Sequence, residues 1–117
     1  LKEINKHKRT LEPKIPSHEL TYNLFQEELS PFDIAKKRGV TINTVYSHLQ
    51  KMYSEGADID LKQFITSEEI ENIKKAQNVL TDTQGLKPYF DYFEEKMPYW
   101  KIKMGLYFME QGIRENS

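Results

Sequence analysis

The chain has 117 residues, with 17 basic against 18 acidic side chains, a net charge of -1 and a mean hydropathy of -0.74. That length suits one domain with a tail, and no long apolar run or signal-peptide pattern occurs, so a cytoplasmic protein with no membrane partner is expected. With no cysteine and only three scattered histidines, disulfides, thiol chemistry and a zinc site drop out.

Leu1 in place of Met suggests a fragment of a larger protein. Residues 1–16 hold Lys2, Lys6, Lys8, Arg9 and Lys14, and Pro13 and Pro16 break any long helix, so they read as a flexible basic linker. From Ser17, the residues Leu20, Leu24, Phe25 and Leu29 mark a first helix.

The next segment carries the clearest signal. Ser30 caps, Pro31 suits the first helical position, and Asp33 supplies an acid three residues after the cap. Ile34, Ala35 and Arg38 then occupy neighbouring turns, and Gly39 ends the helix where a left-handed residue is cheap. Thr41 and Asn43 both qualify as caps of the following helix. There Ile42, Val45, Leu49 and Met52 should face inward, leaving Asn43, Thr44, Ser47, His48 and Lys51 outside. Two short helices across a glycine turn, supported by the helix before them, make a helix-turn-helix unit over residues 17–56. Its core is expected from Leu20, Leu24, Ile34, Ala35, Val45 and Leu49.

Residues 57–112 read as a helical extension packed on that unit, and residues 113–117 as a tail. Alternation through Ile59, Leu61 and Ile65 suggests a short extended segment, and Thr66 with Glu69 a capping box opening a helix to about Leu80. Ile70, Ile73, Val79 and Leu80 are its inward candidates. A polar break over 81–85 precedes a helix from about Leu86 or Lys87 to Glu95, and Met97-Pro98 opens a last one with Tyr99, Ile102, Leu106 and Met109 on one face. The fold class is all-α: a three-helix unit, a connector and about three further helices.

A helix-turn-helix presents its second helix to the major groove, which nominates Lys36, Lys37, Arg38, Asn43, Thr44, Ser47, His48 and Lys51 for DNA contact. Charge is segregated accordingly, with four basic and two acidic groups over 31–56 but four and nine over 57–95. No arginine faces outward from the second helix, which argues against sequence-specific promoter reading. Tyr99, Trp100 and Tyr107 are candidates for a protein-docking face or for a second core. Trp100 beside Lys101 and Lys103 could instead stack on an unpaired base. No nucleophile turn or catalytic relay is evident, so the chain itself reads as non-catalytic.

Thr21, Ser30-Pro31, Ile34-Ala35, Arg38-Gly39-Val40, Thr44-Val45, His48-Leu49, Gly56 and Ile59-Asp60-Leu61 together resemble the helix-turn-helix domain at the far C-terminus of bacterial RecQ-family DNA helicases. The likeness continues through Ile70, Ile73, Leu86-Lys87-Pro88, Tyr99 and Ile102, while Ile34 to Leu49 alone also resembles LuxR-type response regulators. The resemblance implies an accessory module of an ATP-dependent enzyme of DNA repair and recombination, whose motor uses ATP and magnesium. It also implies DNA bound with little sequence specificity, and other domains of the parent as neighbours. The chain lacks the glycine-rich phosphate loop and so needs no cofactor of its own.

Overall fold

The computed structural model of the protein describes residues 15–80 and 85–116. The expected linker up to residue 14, most of the polar break and Ser117 lie outside the described residues. Six α-helices and one 3-10 turn account for the described chain: α1 (Ser17–Gln26), α2 (Pro31–Arg38), α3 (Ile42–Ser54), the 3-10 turn Leu61–Phe64, α4 (Ser67–Val79), α5 (Lys87–Tyr92) and α6 (Tyr99–Asn116). The all-α class and the N-terminal three-helix unit are as expected.

Local chemistry sets the helix ends. The Asp33 backbone N–H donates to Ser30 Oγ at 3.1 Å, and Gly39 adopts a left-handed φ of 68° while Val40 N–H returns to the Ala35 carbonyl at 3.0 Å. Thr41, not Asn43, caps α3, its Oγ1 accepting from Thr44 N–H at 3.1 Å. At α4 the capping box is complete, with Glu69 N–H donating to Thr66 Oγ1 at 3.0 Å and Thr66 N–H to Glu69 Oε1 at 2.9 Å.

A single core joins the unit to its extension. Ile34, Val45 and Leu49 from α2 and α3 cluster with Ile59, Leu61, Ile65, Ile73, Ala76, Ile102 and Met104. Leu20 departs from expectation: it is 38% exposed, and Thr21 holds the fully buried position of α1. The helix is rotated by about one residue because the buried Thr21 hydroxyl finds two polar partners there, which removes the cost of burying it. Val79 is likewise 62% exposed, since the inward row of α4 runs through Ile73 and Ala76 to Leu80 and Val79 falls beside it.

The expected extended segment is instead an irregular stretch closed by the 3-10 turn, with Gln63 Nε2 donating to the Asp60 carbonyl at 2.8 Å. No strand partners it among the described residues, and the turn lets Ile59, Leu61 and Ile65 all be buried. Helix α5 stops before Glu95 because Glu94 and Glu95 turn left-handed, at φ 56° and 64°, and carry Met97 into the core ahead of α6. Helix α6 continues to Asn116, past the start of the expected tail.

Gly105 is buried where α6 meets α4. A side chain on its Cα would run into Ile73 Cδ1 and crowd Ile65 Cδ1, so the two helices approach as closely as they do because the residue has none. Gly105→Leu is expected to lower the unfolding free energy by about 1–3 kcal/mol through overpacking, read as a lower urea midpoint with unchanged slope.

Candidate nucleic-acid interface

Helix α3 turns Val45, Leu49 and Met52 toward the core, and by helical geometry the opposite side carries Asn43, Thr44, Ser47, Lys51 and Ser54. Asn43, Lys51 and Ser54 are exposed, and Thr44 and Ser47 half-buried. On α2, Lys36 and Lys37 are exposed and make no hydrogen bond or ion pair among the described residues.

The remaining nominated residues have intramolecular partners. Arg38 reaches back to α1: Nη1 donates to the Ser17 carbonyl at 2.9 Å and to Thr21 Oγ1 at 2.5 Å, and Nη2 donates to Ser17 Oγ at 2.8 Å. Thr21 Oγ1 also lies 2.8 Å from His48 Nδ1. An arginine can only donate, so Thr21 Oγ1 accepts from Arg38 and keeps a second lone pair and its own hydrogen for the contact with Nδ1. Burial lowers the His48 pKa first, and the positive charges of Arg38 and His18 lower it further. Arg38, Thr21 and His48 thereby tie α1, α2 and α3 together with a neutral histidine. Beyond them, Lys51 Nζ is 3.3 Å from Glu55 Oε2, and His18 Nε2 is 3.5 Å from Glu55 Oε1.

A pH dependence follows. The unfolded chain protonates its histidine near the ordinary value of about 6.5, while folded His48 resists. Its contribution to stability is complete above that pH and is lost as pH falls toward the lower folded value. Thermal melts are expected to show a falling midpoint from pH 7 to pH 5, with a shallower fall in His48→Gln.

Helix α6 supplies partners that the sequence pattern conceals. Asn43 Oδ1 accepts the Trp100 backbone N–H at 3.1 Å, so the second cap candidate of α3 serves the first turn of α6. The Trp100 ring stacks on Tyr46 at 3.7 Å with Lys101 Nζ 5.3 Å from its centroid, and Lys103 Nζ donates to Ser47 Oγ at 3.2 Å. Lys101 Nζ also pairs with Glu69 Oε2 at 2.8 Å. Burial pushes the Glu69 carboxyl up, but hydrogen bonds from Lys101 and Thr66 outweigh it and hold the carboxyl below its usual value.

Tyr99 and Tyr107 are also engaged with the protein's own rings. Tyr99 stacks on Phe90 at 4.4 Å, and Tyr107 meets Tyr53 edge-on at 6.1 Å. Phe32, 66% exposed, is the most open large apolar side chain among the described residues.

No group of three or more metal-ligating side chains is present among the described residues, and no helix there is long and apolar enough to cross a membrane. Residues 17–106 match a family described as a helix-turn-helix domain. No curated protein and no solved structure matches the chain.

Proposed function

The chain belongs to the helix-turn-helix domain family, and we propose that it is a DNA-binding accessory module that positions a RecQ-like helicase on its substrate. The observation that carries the DNA reading is the polar outer side of α3, with Asn43, Lys51 and Ser54 exposed, in the same helix-turn-helix unit as the unpaired Lys36 and Lys37 of α2. In this reading Lys36, Lys37 and Lys51 meet phosphates, while Asn43, Thr44 and Ser47 supply neutral hydrogen bonds. Arg38 and His48 act one step back, holding α1 against the two helices that approach DNA.

The helicase context rests on the resemblance of Ser17 to Leu80, and the module contributes no motor because the phosphate-binding loop of such motors is absent from the chain. Docking through Tyr99, Trp100 and Tyr107 has less support, since each ring already packs on another.

Fluorescence anisotropy with labelled duplex, forked and single-stranded DNA of unrelated sequences tests the reading. Binding should appear at low salt, fall steeply as salt rises, and depend on DNA structure more than on base order. A folded protein that binds none of them at low salt would sink the proposal. Unwinding by a helicase carrying or lacking this module tests the context separately.

A further inference from the structure

The face of α3 that would approach DNA is not formed by α3 alone. Over three turns, from Asn43 to Tyr53, this helix touches α6: Asn43 caps Trp100, Tyr46 stacks on it, Ser47 receives Lys103, and Tyr53 meets Tyr107. Asn43 and Ser47 belong to the outward side, so α6 lies beside α3 and not behind it. The major groove is about 12 Å wide and accepts one helix. Two packed helices present a front of about 20 Å, given axes about 8–10 Å apart and helix diameters of about 10–12 Å. Deep insertion of α3 is therefore blocked while α6 stays in place, and α3 itself meets DNA only through groups along its outer edge, with the α2 lysines beside the groove.

Lys103 is the cation at the edge that α3 shares with α6. It is exposed, and among the described residues no carboxylate pairs with it. Its ammonium has three hydrogens and Ser47 Oγ takes one, leaving two. The Ser47 hydroxyl accepts from Lys103 and keeps its own hydrogen to donate. Lys51 follows Ser47 one turn along α3, and Glu55, the residue that caps the end of that helix, is already held by Lys51 and His18.

We infer that Lys103 and Ser47 jointly bind a backbone phosphate of DNA across the α3–α6 edge. This inference rests on the DNA-binding reading above and assigns α6 a direct part in it. It also accounts for a reading helix without an outward arginine, because the positive charge comes from a neighbouring helix and addresses the backbone, not the bases.

Lys103→Gln and Lys103→Arg, measured beside the wild type on two duplexes of unrelated sequence over a salt series, provide the test. Lys103→Gln should weaken both duplexes equally, by about three- to tenfold at low salt, and reduce the slope of log K against log salt by about 1. Lys103→Arg should restore most of the affinity. Wild-type affinity in Lys103→Gln overturns the inference and leaves the DNA reading standing, as does a loss confined to one sequence, which would indicate a base contact. A wild-type protein that binds no DNA at low salt overturns both.

Discussion

Leu49→Ala is expected to destabilise the protein by about 2–5 kcal/mol, a large share of the roughly 5–15 kcal/mol available to a domain. Leu49 is fully buried on α3 and belongs to the cluster that also contains Ile34, Val45, Ile59 and Ile102. Removing three carbons there loses their transfer free energy and leaves a cavity between elements that cannot all close on it. Urea titration monitored by helical circular dichroism measures the loss as a lower midpoint. Leu20→Ala is the informative contrast, because Leu20 appears in the same apolar pattern of the sequence but is 38% exposed. Its cost should stay below about 1 kcal/mol. Equal costs at the two positions would mean that α1 is rotated otherwise than described.

That contrast locates the boundary of what the sequence discloses. Ser30 with Asp33, Gly39, and Thr66 with Glu69 were legible because each involves residues within one turn, where capping and left-handed backbone have fixed chemistry. The choice between Leu20 and Thr21 was not, because apolar spacing defines a face only to within about one residue of rotation. What decides it is a hydroxyl satisfied by Arg38 and His48, which are 17 and 27 positions away. Asn43 shows the same limit. Its type suits a cap, and it is one, but for a helix whose amide lies 57 positions further on. The outward side of α3 could be listed from the period alone, whereas the flank taken up by α6 depends on ring pairs such as Tyr46 with Trp100 that no local pattern specifies.

Reversing three charges, Lys36→Glu, Lys37→Glu and Lys51→Glu together, should have the largest effect on DNA binding. If each lysine neutralises one phosphate, the combined variant loses about 3 from the salt slope and at least about tenfold in affinity at low salt, with repulsion adding to the lost attraction. All three side chains are exposed and none joins the core, so the fold should be retained with a modestly lower stability. The local penalties are small: the pairing of Lys51 with Glu55 becomes a like-charge contact worth a few tenths of a kcal/mol, and all three positions lie in the last turn of their helix, where a carboxylate opposes the helix dipole by about 0.3–1 kcal/mol. Melting temperature checks that point, and anisotropy reads the affinity. Because phosphates recur along any sequence, the loss should be the same for unrelated duplexes, whereas a loss that varied with sequence would indicate base reading by α3. Unchanged binding would exclude the α2–α3 face as the DNA surface, since a reversal of three charges at the contact could not pass unnoticed at low salt.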